Sequence, residues 1–271
     1  MIKVQKTAEP LILTTNKLQW TADLKQAIAR VGGYAKLKKA DKEKYLYHYK
    51  HDDIHAALKN GAMAERCVYC ECDIKGGDPN VEHYHPKSIY VDETFLWDNL
   101  FSSCVRCNRP KGSFDTKNEP FIHPVNEDPE EFLTYNHLTI CCRYGTGVNH
   151  QKAKNVIEKC DLCRDELIPS LSDRLLLITK YTQQLKPIID KYYGYSQNKK
   201  KLEVANDLLS KLRGIKQLSL PSHEHTGFTR ECIRRNVYVE QALAIVNNHA
   251  PLLGIGSSFQ WGWNYNLPHH F

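Results

Sequence analysis

The chain has 271 residues, of which 41% are hydrophobic and 25% charged, and its formal net charge is +6. This composition excludes wholesale disorder, and no apolar run approaches the roughly 20 residues that a membrane helix needs. The N-terminus also lacks the continuous apolar stretch of a signal peptide, so we expect a cytoplasmic protein. The modest positive charge is compatible with a phosphate-rich partner but does not demand one.

Residues 1–64 are predicted to form an N-terminal helical segment. Behind Thr21, a candidate N-cap, apolar side chains recur at helical spacing at Leu24, Ala27, Ile28 and Val31. A lysine-rich run, "KLKKADKEK", follows, and a second helix is predicted to end on Gly61. Such a basic run either tracks nucleic-acid phosphates or forms a solvated helix face, and the sequence leaves both alternatives open.

Residues 65–117 have a different texture, with two CxxC pairs, Cys67/Cys70 and Cys104/Cys107. The two thiolates of each pair can point at one ion, and two pairs complete a tetrahedral zinc site. Because four protein ligands leave no open position for a substrate, the predicted zinc is structural. The alternative is four buried cysteines that pack as small hydrophobic residues.

Residues 118–271 are predicted to form a C-terminal helical region with an aromatic tail, and the last helix is expected over Thr229–Asn248. Cys160 and Cys163 also read CxxC but lie on the apolar stripe of a predicted helix, which favours core packing unless Cys141 and Cys142 complete a second metal site. The tail "FQWGWNYNLPHHF" is either a docking peptide or packs on its own domain. The predicted fold class is α+β, mostly α, with a small zinc-stabilised core between helical segments.

The stretch "VEHYHPKS", Val81 to Ser88, lies between the two cysteine pairs, and its acid and two histidines are compatible with a metal site, a proton-transfer site or neither. Metal-assisted hydrolysis, for example, needs a base to deprotonate water and a cation to neutralise developing charge. A histidine titrates near neutrality, and a carboxylate supplies a hard oxygen ligand. Because neighbouring side chains on a strand point to opposite faces, Glu82 and His83 can both face a substrate only if the strand ends or bulges there.

Taken in order, "CVYC…VEHYHPKS…WDNLFSSCVRCNRPKGS" resembles the HNH endonucleases from Cys67 to Ser113. The shared features are an acid–His pair, a proline three residues after the histidine, an Asn-Leu pair, a CxxCN and a terminal Lys-Gly. The resemblance implies a ββα-metal core, in which a β-hairpin and a helix hold one catalytic Mg²⁺ or Mn²⁺. It also implies cleavage of nucleic acid, with DNA favoured over RNA.

The roles implied by the resemblance fall on four residues. His83 matches the general base, and Glu82 matches the acidic metal ligand before it. Asn99 matches the middle asparagine, which in the family braces the hairpin loop through backbone hydrogen bonds. Asn108 matches the final ligand position. The family more often has Asp or His where Glu82 stands.

Four further residues are candidate phosphate contacts: His85, Lys87, Arg109 and Lys111. For His85, strand alternation predicts the same side as His83, where it would touch substrate phosphate or help to hold the metal. A solvent-facing strand residue is the equal alternative.

A narrower resemblance extends beyond the core. The wording "ERCVYCECDI…VEHYHPK", with "EPLILTTNKLQWTADL" before it and "NEDPEEFLTY" after it, is similar to the HNH subunit of Septu-type anti-phage systems, including those attached to retrons. That family usually has an arginine where His85 stands. The resemblance implies a defence effector held by an ATPase partner related to SMC and ABC-type proteins.

Three rival functions stay open at this point. A standalone restriction-type HNH enzyme would act without a partner. A zinc-organised nucleic-acid-binding or adaptor module would lack catalysis. A dithiol redox protein is disfavoured, because the paired cysteines tie up their thiolates and no thioredoxin-like pattern surrounds them.

Overall fold

The computed structural model describes residues 1–61, 65–74 and 80–267, and the chain divides into two units. The first unit comprises Met1–Leu133 and Ile140–Arg164, and the second comprises Thr134–Thr139 and the chain from Asp165 onward. Within the described ranges, no helix is both long and apolar enough to span a bilayer. The three-part division at residues 64 and 117 stays a prediction.

The first unit begins with a helical segment. Its elements are α1 (Leu11–Val31), the single turn α2 (Lys39–Asp41), a π-helical turn (Lys42–Leu46), a 3-10 turn (Tyr47–Lys50) and α3 (Asp52–Lys59). The prediction that Thr21 caps α1 was wrong, because Thr21 lies inside the helix and donates to Lys17 O at 2.7 Å. The helix starts earlier because Leu13 is fully buried and extends the apolar stripe.

A β-hairpin and a short helix follow. Strand β1 (Asn80–His83) pairs antiparallel with β2 (Leu100–Ser103), so that Glu82 lies opposite Phe101 and His83 opposite Leu100. Helix α4 (Val105–Lys111) starts directly after Cys104 and ends before Gly112, which has a φ of +50°. The order strand, strand, helix is the ββα arrangement that the resemblance implied.

The apolar core of the first unit joins the helical segment to one face of the hairpin. Leu13 and Leu24 of α1 pack in the same cluster as Val81 of β1 and Leu100 of β2. The opposite face of β1 is turned toward α4. The hairpin therefore lies between the helical segment and α4. Successive side chains of β1 point alternately toward one and the other.

Two short strands, β3 (Leu133–Asn136) and β4 (Thr139–Cys142), form a second sheet, and α5 (Gly147–Lys159) follows. The second unit then contains α6 (Ile168–Gln183), α7 (Leu185–Gly194), α8 (Asn198–Leu218), α9 (Thr226–Arg234) and α10 (Val237–Asn248). The α+β, mostly α class with a small cysteine-bearing core is confirmed.

The single last helix expected over Thr229–Asn248 is wrong, since α9 and α10 are separate helices. The break lies at Asn236, whose side chain accepts from the backbone N–H groups of Tyr238 and Val239 at 3.1 and 3.2 Å. A side-chain oxygen that satisfies the free N–H groups of a helix start favours a new helix over a continuous one.

The aromatic tail, as far as it is described, packs on the second unit. Trp261 is only 5% exposed and belongs to the apolar cluster of α6–α10. Its ring stacks on Tyr265 at 5.4 Å between centroids, and Trp263 Nε1 donates to Ser219 Oγ at 2.9 Å. Of the two alternatives for the tail, residues 259–267 thus show packing on their own domain, while residues 268–271 lie outside the described residues.

Candidate active site and metal centre

The four cysteines of the two CxxC pairs meet at one point. The sulfurs of Cys67, Cys70, Cys104 and Cys107 all lie within 4.8 Å of one another. Those of Cys70 and Cys104 are 3.7 Å apart, close to the roughly 3.8 Å between ligands of a tetrahedral zinc with Zn–S bonds of about 2.3 Å. The donor set therefore fits a four-coordinate metal ion.

Backbone hydrogen bonds shape both cysteine turns. The N–H of Glu71 donates to Cys67 O at 2.9 Å, and the N–H groups of Cys107 and Asn108 donate to Cys104 O at 3.2 and 3.0 Å. The second turn is also the start of α4. A metal at this cluster would therefore fix the position of α4 against the hairpin.

Two further side chains border the cysteine cluster. Arg164 Nη1 donates to Cys107 Sγ at 3.5 Å, and its Nη2 lies 4.0 Å from Cys104 Sγ. Cys72 Sγ lies 3.1 Å from Cys70 Sγ. The guanidinium offsets the negative charge that thiolate ligands bring to such a site, which is how outer-shell partners support a metal centre.

The two cysteines of the remaining CxxC, Cys160 and Cys163, differ in burial. Cys160 is fully buried, in agreement with core packing, whereas Cys163 is exposed. Helix α5 ends at Lys159, so neither cysteine lies on the helix that the apolar stripe predicted. Among the described residues, the group of cysteines, histidines and acids that could hold a metal is the one at Cys67.

Glu82 is 2% exposed and faces α4. Its Oε1 accepts from Tyr69 Oη at 3.1 Å and forms an ion pair with Lys111 Nζ at 2.5 Å. Burial raises the pKa of the Glu82 carboxyl, although the ammonium of Lys111 acts in the opposite direction. The Lys111 ammonium thus already occupies Oε1 of Glu82, so a metal ion bound by this carboxylate would have to share or replace that ion pair.

His83 is 3% exposed and faces the helical segment instead. Its Nε2 lies 3.0 Å from Thr94 O, and its ring meets that of Tyr49 edge-on at 4.6 Å between centroids. A carbonyl can only accept, so Nε2 carries the proton and Nδ1 keeps a free lone pair. Among the described residues Nδ1 has no hydrogen-bond partner. Burial lowers the pKa of His83 well below 6.5, and the charges of Lys87 and Lys111 lower it further.

Asn99 holds the loop between the strands. Its Oδ1 accepts from His85 N at 2.6 Å, while its Nδ2 donates to His85 O and Glu93 O, both at 3.0 Å. These three bonds join the end of β1 to the start of β2. They are backbone bonds of the kind that the resemblance assigns to the middle asparagine.

Three other candidate residues, Asn108, Arg109 and Lys111, belong to α4. Asn108 and Lys111 are three residues apart on α4, hence on one face, and Asn108 is half-buried with no side-chain hydrogen bond to the described residues. Lys111 is fully engaged by Glu82 and by His83 O at 3.0 Å, so it does not face outward. Arg109 is exposed. The oxygen donors of Glu82 and Asn108 suit Mg²⁺ or Mn²⁺.

His85 does not continue the alternation of β1, because the strand ends at His83. Its Nδ1 lies 2.8 Å from Thr116 Oγ1, whose hydroxyl donates to Tyr84 O. Because the Thr116 hydroxyl hydrogen is already donated to Tyr84 O, the hydroxyl oxygen can only accept from His85, so Nδ1 of His85 carries the proton and donates it to Thr116 Oγ1. His85 is therefore half-buried and tethered, which corrects the alternative of a solvent-facing strand residue, and its Nε2 keeps a lone pair.

The sequence analysis did not find Tyr49, Tyr69, Thr94, Thr116 or Arg164. Tyr69 had a signal, since it stands inside the first CxxC. The other four reach the site from distant segments through a carbonyl, a ring edge, a hydroxyl and a guanidinium, and no spacing in the sequence announces such contacts.

Comparison with known proteins agrees with this geometry. Residues 67–114 match the family model of the HNH endonucleases. The chain is similar to the Septu protein PtuB of Bacillus thuringiensis, with 28% identity over 169 residues, 60% of this chain and 61% of the relative. It is also similar to the Septu protein PtuB of Bacillus mycoides strain KBAB4, with 28% identity over 166 residues, 50% of this chain and 55% of the relative.

The matched part thus spans less than two thirds of either relative. The family model covers the segment that the motifs indicated, from Cys67 to Ser113. Both the HNH resemblance and the Septu resemblance are thereby confirmed.

Proposed function

We propose that this chain, which carries an HNH endonuclease domain of Septu type at residues 67–114, hydrolyses phosphodiester bonds of nucleic acid with a divalent cation. The observation that carries the proposal is the Glu82–His83 pair at the end of β1. Of the pair, Glu82 faces α4, which carries the candidate ligand Asn108, and a metal at the cysteine cluster would hold α4 in place.

His83 is the general base in this proposal. Its Nε2–H donates to Thr94 O, which holds the ring in one orientation and leaves the Nδ1 lone pair to take a proton from water. The lowered pKa of His83 keeps the imidazole neutral near pH 7, the form that can accept a proton.

Glu82 and Asn108 would hold the catalytic Mg²⁺ or Mn²⁺. Such an ion would neutralise the negative charge that develops on the phosphate and the leaving oxygen. Asn99 positions this chemistry without taking part in it, because its side chain fixes the loop that follows His83. The four-cysteine cluster would hold a structural zinc, since its sulfur spacing and ligand type suit that ion.

We also propose that the chain acts in an anti-phage defence complex with an ATPase partner of SMC or ABC type. The similarity to the Septu protein PtuB supports a defence role. The closed site supports a partner: His83 is 3% and Glu82 2% exposed, so substrate can reach them only after the site opens. Partner binding would provide that opening.

The test is cleavage of supercoiled plasmid, single-stranded DNA and RNA with magnesium or manganese. The zinc-loaded chain is assayed alone and with the proposed ATPase partner. We expect metal-dependent cleavage that the partner accelerates. Full activity without a partner would instead indicate a standalone restriction-type enzyme, and no cleavage under either condition would leave a zinc-organised binding module.

A further inference from the structure

Four lysines from three segments of the first unit surround the candidate active site. We call them the lysine cluster: Lys42 and Lys50 of the helical segment, Lys87 of the loop after β1, and Lys111 of α4. Lys111 is buried against Glu82, whereas Lys50 is exposed and Lys42 and Lys87 are half-buried. Lys50 is therefore the most accessible of the four, and the side chains of Lys42 and Lys87 are accessible in part.

Ring contacts connect two of these lysines, Lys87 and Lys50, to His83 by way of Tyr49. The Lys87 Nζ lies 5.4 Å from the centre of the Tyr49 ring, which itself meets His83 edge-on at 4.6 Å. The Lys50 Nζ lies 4.2 Å from the Tyr47 ring, and Tyr47 meets Tyr49 at 6.1 Å. A row of packed rings, Tyr47 and Tyr49, thus lies between Lys50 and the candidate base His83.

Electrostatics agree with this placement. Burial lowers the pKa of the Lys87 ammonium; Glu82 opposes that shift, and the charges of Lys111, Lys50 and Lys42 add to it. Lys42 is thus within electrostatic reach of Lys87. One carboxylate, Glu82, faces four ammonium groups, so the site carries an excess of positive charge.

Nearby acids do not remove that excess. In the part of the chain that the structure describes, Lys42, Lys50 and Lys87 form no ion pair. Two of their acidic neighbours have other partners: Asp41 pairs with Arg30, and Glu43 pairs with Lys39. Other lysines of the same unit are paired, as Lys25 is with Asp92. Unpaired lysines that converge on one point create a local positive potential, which favours a polyanion.

We propose that Lys42, Lys50 and Lys87 form a binding face for the phosphate backbone of the nucleic-acid strand beside the scissile bond. The helical segment would then be part of the substrate site and not merely a support for the HNH core. This inference rests on the proposed nuclease function, since it takes nucleic acid as the ligand. Contacts of this kind position a strand without reading its bases.

The test is binding of a fluorescently labelled DNA duplex, followed by anisotropy between 50 and 200 mM salt (roughly the range over which such contacts weaken) without added magnesium or manganese. The variants are Lys42→Gln, Lys50→Gln and Lys87→Gln. Lys39→Gln is the matched control, because Lys39 lies in the same segment but pairs with Glu43. Thermal unfolding verifies that each variant is folded.

We expect each of the three variants to reduce the slope of log K against log salt by about 0.9, the value for one lost phosphate contact on duplex DNA. The control should keep the wild-type slope. In cleavage assays, Lys42→Gln and Lys50→Gln should raise KM and leave kcat unchanged, because neither lysine touches the reacting atoms.

The nuclease function and the lysine binding face can be overturned by different results. Wild-type slopes in folded variants of a protein that cleaves would overturn the binding face and leave the nuclease standing. Lysine-dependent binding by a protein that never cleaves would overturn the nuclease and leave the binding face standing. A wild type that binds no nucleic acid at all would overturn the binding face as well.

Discussion

At the scale of single residues, Glu82 and His83 are neighbours on one short strand, but their side chains lie in two different environments. Glu82 reaches α4 and its Lys111, while His83 reaches Tyr49 and Thr94 O on the opposite side. This separation follows from strand alternation. The strand ends at His83, the condition that the sequence argument set, yet the side chains of Glu82 and His83 still face opposite sides of β1.

Asn99→Ala should destabilise the protein by about 1–3 kcal/mol for each backbone group left unpaired in the buried loop. The side chain is 3% exposed and holds three backbone groups of His85 and Glu93. Urea unfolding measures the change. Asn118→Ala is the control, since Asn118 is exposed and bonds mainly to Asp115. Equal stability of the two variants would contradict the bracing role.

Lys111→Met should cost about 3–5 kcal/mol, because it leaves the buried carboxylate of Glu82 without its charged partner. Adding Glu82→Gln to the same variant should recover most of that loss, since no buried charge then remains. Chemical denaturation of the two single variants and the double variant gives the coupling. Additive losses would show that the ion pair does not govern the stability of this site.

At the scale of elements, α4 has only one and a half to two turns and contains Pro110, so it has little stability of its own. A metal at the cysteine cluster would compensate, because Cys104 stands at the N-cap position of α4 and Cys107 lies within the helix. A metal at the cluster would join α4 to the turn at Cys67 and Cys70. The position of Asn108 and Lys111 on α4 would then depend on that metal.

Cys107→Ser should therefore lower the zinc content from about one ion per chain to near zero, as four ligands are needed for a closed site. It should also expose the ββα core to protease, because metal binding and folding are coupled in such small cores. Cys163→Ser is the matched control, being exposed and outside the cluster. Full zinc retention by Cys107→Ser would contradict the four-cysteine assignment.

Much of the site could be predicted at this scale, because its groups are close in sequence or repeat a pattern. The meeting of the two CxxC pairs followed from thiolate chemistry alone. The partner of Glu82 did not: Lys111 was expected near a phosphate and instead pairs with the carboxylate. The strands β3 and β4 also went unpredicted, since four-residue strands carry almost no periodic signal and the region from Phe132 onward read as helical.

At the scale of the whole molecule, each unit has its own apolar cluster. That of the first unit includes Leu24 and Val81, and that of the second includes Leu212 and Trp261. The HNH core belongs to the first. Within the described ranges, every residue that we place in the candidate site or the lysine cluster belongs to the first unit.

Trp261→Ala should destabilise the second unit by about 3–5 kcal/mol, the usual cost of truncating a buried aromatic side chain. Zinc content should stay at about one ion per chain, because Trp261 packs in a cluster that contains no residue of the HNH core. Denaturation followed by tryptophan fluorescence, with metal analysis of the folded protein, measures both. Loss of zinc in a variant that is still folded would contradict the separation of the two clusters.

The measurement that tests the central claim most directly compares wild type with His83→Ala in cleavage of nucleic acid with magnesium or manganese, in the presence of the proposed ATPase partner. Both proteins must hold the same zinc and unfold at the same temperature. Loss of a general base predicts a cleavage rate lower by about 10²–10⁴-fold. Equal cleavage by the two proteins, or no cleavage by the zinc-loaded wild type, would contradict the assignment of His83 as the base of an HNH endonuclease.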